Sequence, residues 1–210
     1  MKTAMVWGAS GRIGRALLKE LRSDGWELVA IARDTGGLRD LASVVIEGDV
    51  TSASAVQSAI ETASQQVSAI DMWVYSIGDI MSVKVVEMSP EDWARLINAN
   101  LSGAFFATHY SLPLLATEAH LFYVGAISER LRLPGLSAYA AAKAGLEAFA
   151  DTLRKEERKR RISVVRPAAV DTPLWDKVPF KMPKSALRPE QAAECILAAY
   201  RDGHRGVLDL

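Results

Sequence analysis

Apolar residues fall into short, nearly unbroken runs, separated by stretches in which they recur every three or four positions. The runs Thr3–Trp7, Glu27–Ala32, Val44–Glu47, Met72–Tyr75, Leu121–Val124 and Ile162–Val165 read as strands buried on both faces. A last short strand is predicted at Gly206–Leu208. Helical spacing follows the first strand at Arg15–Leu21 and ends at Asp24-Gly25. Further helices are expected from Thr51 to about Val67, with Thr51 or Ser52 as cap, and from Ser89 to about Leu115, with Pro90 in the first turn. Two more follow, one carrying Tyr139 and Lys143 to about Arg158 and one from Pro189 to Tyr200.

Strands alternate with helices from end to end, without a linker or repeat. The pattern predicts an α/β fold: a three-layer, doubly wound parallel sheet of about seven strands flanked by helices. It reads as one domain over residues 1–210, with a mobile flap at about 172–188 that is rich in Pro and Lys.

Composition narrows the function. Twenty-five basic and 25 acidic residues balance, so neither nucleic acid nor a membrane surface is expected as partner. The charge run Arg154–Arg161 reads as a solvated helix end, with its cations near the C-terminus. The single cysteine, Cys195, excludes an internal disulfide and suits a reducing setting. Met1-Lys2 leads directly into a strand-like run, and a cytoplasmic protein is expected. Three scattered histidines give no metal-ligand spacing.

Candidate chemistry begins at Gly8-Ala9-Ser10-Gly11-Arg12-Ile13-Gly14, between the first strand and the first helix. Glycines there let the backbone turn tightly and approach a pyrophosphate at the positive end of the helix. The same loop without a ligand would be a tight strand-to-helix turn. At the end of the second strand stand Arg33 and Asp34. Asp34 is suited to a ribose hydroxyl, favouring NAD(H), and Arg33 to a 2′-phosphate, favouring NADP(H). The strand's last position, where an NAD-reading acid usually stands, is Ala32, so NADP(H) is favoured over NAD(H).

Tyr139 and Lys143 are four residues apart and share one face of a helix. A phenol normally keeps its proton to pH ~10. A neighbouring ammonium favours the phenolate and is expected to lower that value. Such a pair can protonate a carbonyl oxygen during reduction, or deprotonate an alcohol during oxidation. The same spacing also occurs where a tyrosine packs in a core and a lysine snorkels to the surface.

Together these residues resemble the short-chain dehydrogenases/reductases, from about Lys2 to Leu208 and in the family's order. The resemblance rests on Gly8-Gly11-Gly14, Asp49-Val50-Thr51, Gly78 after the fourth strand, Asn100 in Asn98-Ala99-Asn100-Leu101, Tyr-x3-Lys at Tyr139 and Lys143, and Arg166-Pro167 through Thr172. It implies hydride transfer between a nicotinamide and a small carbonyl or alcohol substrate. Tyr139 would be the acid/base and Lys143 would hold the ribose. Asn100 would anchor a water, Asp49 and Val50 would contact adenine, and Pro167, Val170 and Thr172 would lie at the nicotinamide. It also implies a homodimer or homotetramer. Leu131, Leu133, Leu174, Trp175, Val178 and Phe180 suggest an apolar substrate pocket.

Several positions depart from the family pattern. Its catalytic serine lies thirteen residues before the tyrosine, and here that place is Ala126. Ser128, two residues on, is the candidate replacement. Trp7 stands for the usual threonine before the glycine loop. Tyr75-Ser76-Ile77-Gly78 stands for Asn-Asn-Ala-Gly, so the hydrogen bonds at that turn must be made differently. These departures support a second reading, a dinucleotide-binding redox sensor or scaffold with little turnover.

Overall fold

The computed structural model describes all 210 residues. Seven parallel strands form one sheet: β1 (Thr3–Trp7), β2 (Glu27–Ala32), β3 (Val44–Glu47), β4 (Ile70–Tyr75), β5 (Leu115–Val124), β6 (Arg161–Arg166) and β7 (Gly206–Asp209). Their spatial order is β3-β2-β1-β4-β5-β6-β7. The helices are α1 (Arg12–Ser23), α2 (Ala53–Ser64), α3 (Pro90–Ile97), α4 (Gly103–Ser111), α5 (Ser137–Glu156) and α6 (Pro189–Arg201).

Both faces of the sheet are covered, as parallel pairing requires. Alternation along β1 sends Met5 and Trp7 into a core shared with α2, α4 and α5. Ala4 and Val6 enter the opposite core, shared with α1 and α6. Helix starts follow local chemistry: Ser52 accepts a hydrogen bond from the Ala55 amide, and Ser89 accepts one from the Asp92 amide ahead of Pro90. The chain leaves β1 towards β2 on one side and reaches β4 on the other. This reversal opens a crevice at the carboxyl ends of the strands, where open α/β sheets bind ligands.

Two elements differ from the sequence pattern. The helix expected from Ser89 to Leu115 is broken by π-helical turns at Asn98–Ser102, and α4 ends at Ser111. A short 3₁₀ turn containing Pro113 follows, and β5 then starts at Leu115 rather than Leu121. Exposed Thr117 and Glu118 hid this first half of the strand, whose register against β4 shifts between Ile70 and Met72. The region expected as a flap contains one 3₁₀ helix, Pro173–Lys177. Its base is closed by Leu187, which accepts from the Asp171 amide (2.9 Å) and donates to the Ala169 carbonyl (3.0 Å). No helix is long and apolar enough to cross a membrane.

Candidate active site

The glycine loop is shaped by close approach. Gly8 has φ +82°, in the region that favours glycine. A Cβ on Gly14 would lie 2.3 Å from the Gly8 carbonyl oxygen, so α1 packs directly onto the loop. The helix starts at Gly11 with no side-chain cap, which leaves its first amides free to meet an anion. Arg15 ties the loop to its neighbour, donating to Ser10 O (3.1 Å) and Gly36 O (2.7 Å). Arg33 is exposed and forms no ion pair, whereas the Asp34 carboxylate is engaged locally by the Gly36 amide at 2.9 Å. An uncapped helix start, a close-packed glycine turn and a free Arg33 suit a dinucleotide phosphate.

The altered turn after β4 has its own hydrogen-bond solution. Ser76 Oγ donates to Trp7 O at 2.8 Å, fastening β4 to β1 where the usual asparagine is absent. The Tyr75 hydroxyl donates to Ala99 O at 2.7 Å, inside the π-helical turns. That widening takes carbonyls out of regular helix pairing, and the tyrosine supplies a partner for one of them. A Cβ on Gly103 would lie 2.7 Å from the Tyr75 hydroxyl, so glycine is required for this contact. The π-helical turns hold Asn100, whose Nδ2 donates to Asp79 O (2.7 Å) and Leu96 O (2.9 Å). A Cβ on Gly78 would lie 3.3 Å from Asn100 Oδ1 and 3.7 Å from Lys143 Nζ, so these two groups flank the same glycine.

Helix α5 buries Tyr139, Ala142, Lys143, Leu146, Ala150 and Leu153 on one face. Tyr139 and Lys143 stand at its N-terminal end, where this stripe meets the crevice. Lys143 Nζ donates to Val124 O at 3.0 Å and lies 5.7 Å from the Tyr139 ring centroid. Burial pushes the Tyr139 phenol up to about 12 and the Lys143 ammonium down to about 8. The expectation that Lys143 lowers the tyrosine's pKa is therefore corrected for this state. The ammonium is held by a strand-end carbonyl, and desolvation of the phenol dominates.

These residues border a cavity of about 560 Å³. Gly11, Arg12, Ile13, Gly78, Tyr139, Lys143, Pro167, Val170 and Thr172 line it, as do Leu131, Leu133, Leu174, Trp175, Val178 and Phe180. Gly8, Ser10 and Gly14 are not on its wall, and neither is Asn100, which is fully buried behind Gly78. Arg33, Asp49 and Val50 lie outside the cavity. The Asp49 carboxylate accepts from the Thr51 amide and hydroxyl, and Val50 is buried in the core.

Ser128 requires a correction. Ala126 and Ile127 line the cavity, but Ser128 does not. It begins a 3₁₀ turn, Ser128–Leu131, in which the Arg130 amide donates to Ile127 O. That turn sets Ser128 off the cavity wall, on which Ala126 stands. Asp79, off the cavity wall but next to the site, is a residue the sequence did not single out; it follows Gly78 with no motif of its own, and only the fold brings it beside Asn100 and the flap.

The doubly wound sheet and the crevice beside its glycine loop suit a bound dinucleotide. The family model for short chain dehydrogenases matches residues 2–182. The chain belongs to that family. An uncharacterized oxidoreductase of Staphylococcus epidermidis is 27% identical over 208 residues, covering 94% of this chain and 90% of its own. The 3-oxoacyl-[acyl-carrier-protein] reductase of Thermotoga maritima is 27% identical over 219 residues, covering 93% and 89%. Among solved structures, the alcohol dehydrogenase of the archaeon Thermococcus sibiricus, complexed with 5-hydroxy-NADP, superposes with a TM-score of 0.91 at 26% identity, covering 100% of this chain and 96% of that one.

Proposed function

We propose that the protein is an NADP(H)-dependent oxidoreductase that interconverts a carbonyl and an alcohol, with Tyr139 as the acid/base. The observation that carries this reading is the burial of Tyr139 and Lys143 together on one face of α5, at the wall of the cavity. NADPH, when bound, supplies the hydride to the carbonyl carbon. The free amides at the start of α1 hold its phosphates, and Arg33 pairs with the 2′-phosphate. Val170 and Thr172, with Pro167, hold the nicotinamide end.

Tyr139 gives its proton to the substrate oxygen as the alcohol forms. Its raised pKa keeps that proton in place at neutral pH, and the nearby Lys143 ammonium favours the tyrosinate left behind. Lys143 also holds the ribose hydroxyls. Asn100, beside Lys143 across Gly78, anchors a water that returns a proton. The apolar wall selects an apolar substrate. A homodimer or homotetramer belongs to the same reading, and half-exposed Trp93 and Phe105 on α3 and α4 supply apolar surface for it.

One observation favours a second reading, a cofactor-binding sensor with little turnover. The wall has Ala126 where a hydroxyl would hold the substrate oxygen. Loss of one such donor typically costs about 10²–10³ in rate. The two readings separate when purified protein is given NADPH with a panel of ketones, aldehydes and quinones. Turnover of any of them establishes the oxidoreductase. Tight NADPH binding, no turnover and no gain on Ala126→Ser would favour the sensor.

A further inference from the structure

Asp79 lies at the crossing of three elements that the proposed chemistry leaves unconnected. Its backbone is held by Asn100 from both sides: the Asp79 carbonyl accepts from Asn100 Nδ2 at 2.7 Å, and its amide donates to Oδ1 at 3.4 Å. One carboxylate oxygen pairs with Arg95 of α3, which also reaches Asp92 at 3.3 Å. The other accepts from Lys177 Nζ at 2.6 Å. Lys177 ends the 3₁₀ helix of the flap, 98 residues further along the chain, and lines the cavity.

The flap is held elsewhere by contacts close in sequence. Leu187 closes its base, and Trp175 Nε1 donates to Val170 O at 2.9 Å. These contacts fix the flap's shape. The Lys177–Asp79 pair joins the flap's 3₁₀ helix to the turn after β4, across the crevice. The Asp79 side chain is 15% exposed and held by two cations, whereas that of Lys177 is 53% exposed, so the lysine is the freer partner. Lys177 and the unpaired Lys181 further along the flap both line the cavity, while Arg95, the other partner of Asp79, also meets Asp92.

We infer that Asp79 is a positioning residue that latches the 172–188 flap over the substrate cavity through Lys177, seating the closed flap on the residue that Asn100 holds. The inference rests on the oxidoreductase reading for its kinetic consequences, but not for its structural ones. With the latch closed, Leu174, Trp175 and Val178 pack against bound substrate and the crevice loses water, which strengthens the proton transfer from Tyr139. With it open, substrate enters and product leaves. A partly exposed ion pair biases such an equilibrium modestly, and salt screens it.

The test is a double-mutant cycle on Asp79→Asn and Lys177→Met, read two ways. Amide hydrogen exchange over 172–181 reads the latch without substrate or turnover. Each single variant should speed exchange there about two- to fivefold, and the double variant should match the singles. Lys177→Arg should retain wild-type protection. At saturating NADPH with an uncharged substrate, each single variant should raise KM about two- to fivefold with a smaller change in kcat. The wild-type KM should rise with salt, and that of the variants should not.

Unchanged exchange in both single variants would overturn the latch. So would KM effects that add in the double variant, which would mean that Lys177 acts on the substrate directly. If the wild-type protein turns over no carbonyl compound while exchange responds as stated, the oxidoreductase reading fails and the latch stands.

Discussion

The Tyr75 hydroxyl donates a 2.7 Å hydrogen bond to the carbonyl of Ala99, joining the end of β4 to the π-helical turns that hold Asn100. Both groups are buried, and no other side chain reaches that carbonyl. Tyr75→Phe keeps the ring and its stacking on Trp73 (centroids 6.2 Å apart) and removes only the donor. It should destabilise the protein by about 1–3 kcal/mol, the cost of a buried carbonyl left unpaired. Urea unfolding checks this. A change much below 1 kcal/mol would show that the turns relax without the tyrosine.

Most of the fold was legible because strands and helices alternate with clear periods. The π-helical break at Asn98–Ser102 keeps an apolar pattern that also fits a straight helix, and only the close approach of Gly103 to Tyr75 reveals it. The first half of β5 escaped because Thr117 and Glu118 interrupt its apolar run. In the site, Tyr139 and Lys143 were readable from spacing, and their common burial follows from the apolar face of α5. Ser128 stands off the cavity wall because a 3₁₀ turn begins two residues after Ala126, which does not show in residue type. Asp79 matters through partners 16 and 98 residues away, a distance no local pattern spans.

The buried lysine gives a pH-dependent stability with a definite sign. Burial lowers the Lys143 pKa to about 8 in the folded chain, against ~10.4 unfolded. Between these values the unfolded chain binds more protons, so this group's contribution to stability rises with pH from about 8 to ~10.4. Tyr139 acts oppositely, since its folded value of about 12 exceeds the unfolded ~10, and its contribution falls as pH passes ~10. Lys143→Met should therefore raise stability at pH 7 by about 1–2 kcal/mol while abolishing turnover. The gain should shrink towards pH 10. Denaturant unfolding across pH 6–10 checks this. A variant less stable than wild type at every pH would mean that the lysine's bond to Val124 O outweighs its desolvation.

Arg33 has no protein partner, and Asp34 is taken up by Gly36, so the loop after β2 offers a free cation and an engaged acid. Arg33→Ala should weaken NADPH binding about tenfold, on the scale of one charge-assisted phosphate contact, and leave NADH binding nearly unchanged. Calorimetric titration of both cofactors measures it. Equal losses for the two would remove Arg33 from the 2′-phosphate.

In the proposed reaction Tyr139 delivers the proton. The most direct measurement is NADPH-dependent reduction by Tyr139→Phe, with NADPH affinity determined on the same preparation. kcat should fall by about 10²–10⁴, with cofactor affinity unchanged within about twofold. A variant that reduces the same substrate at the wild-type rate would contradict it.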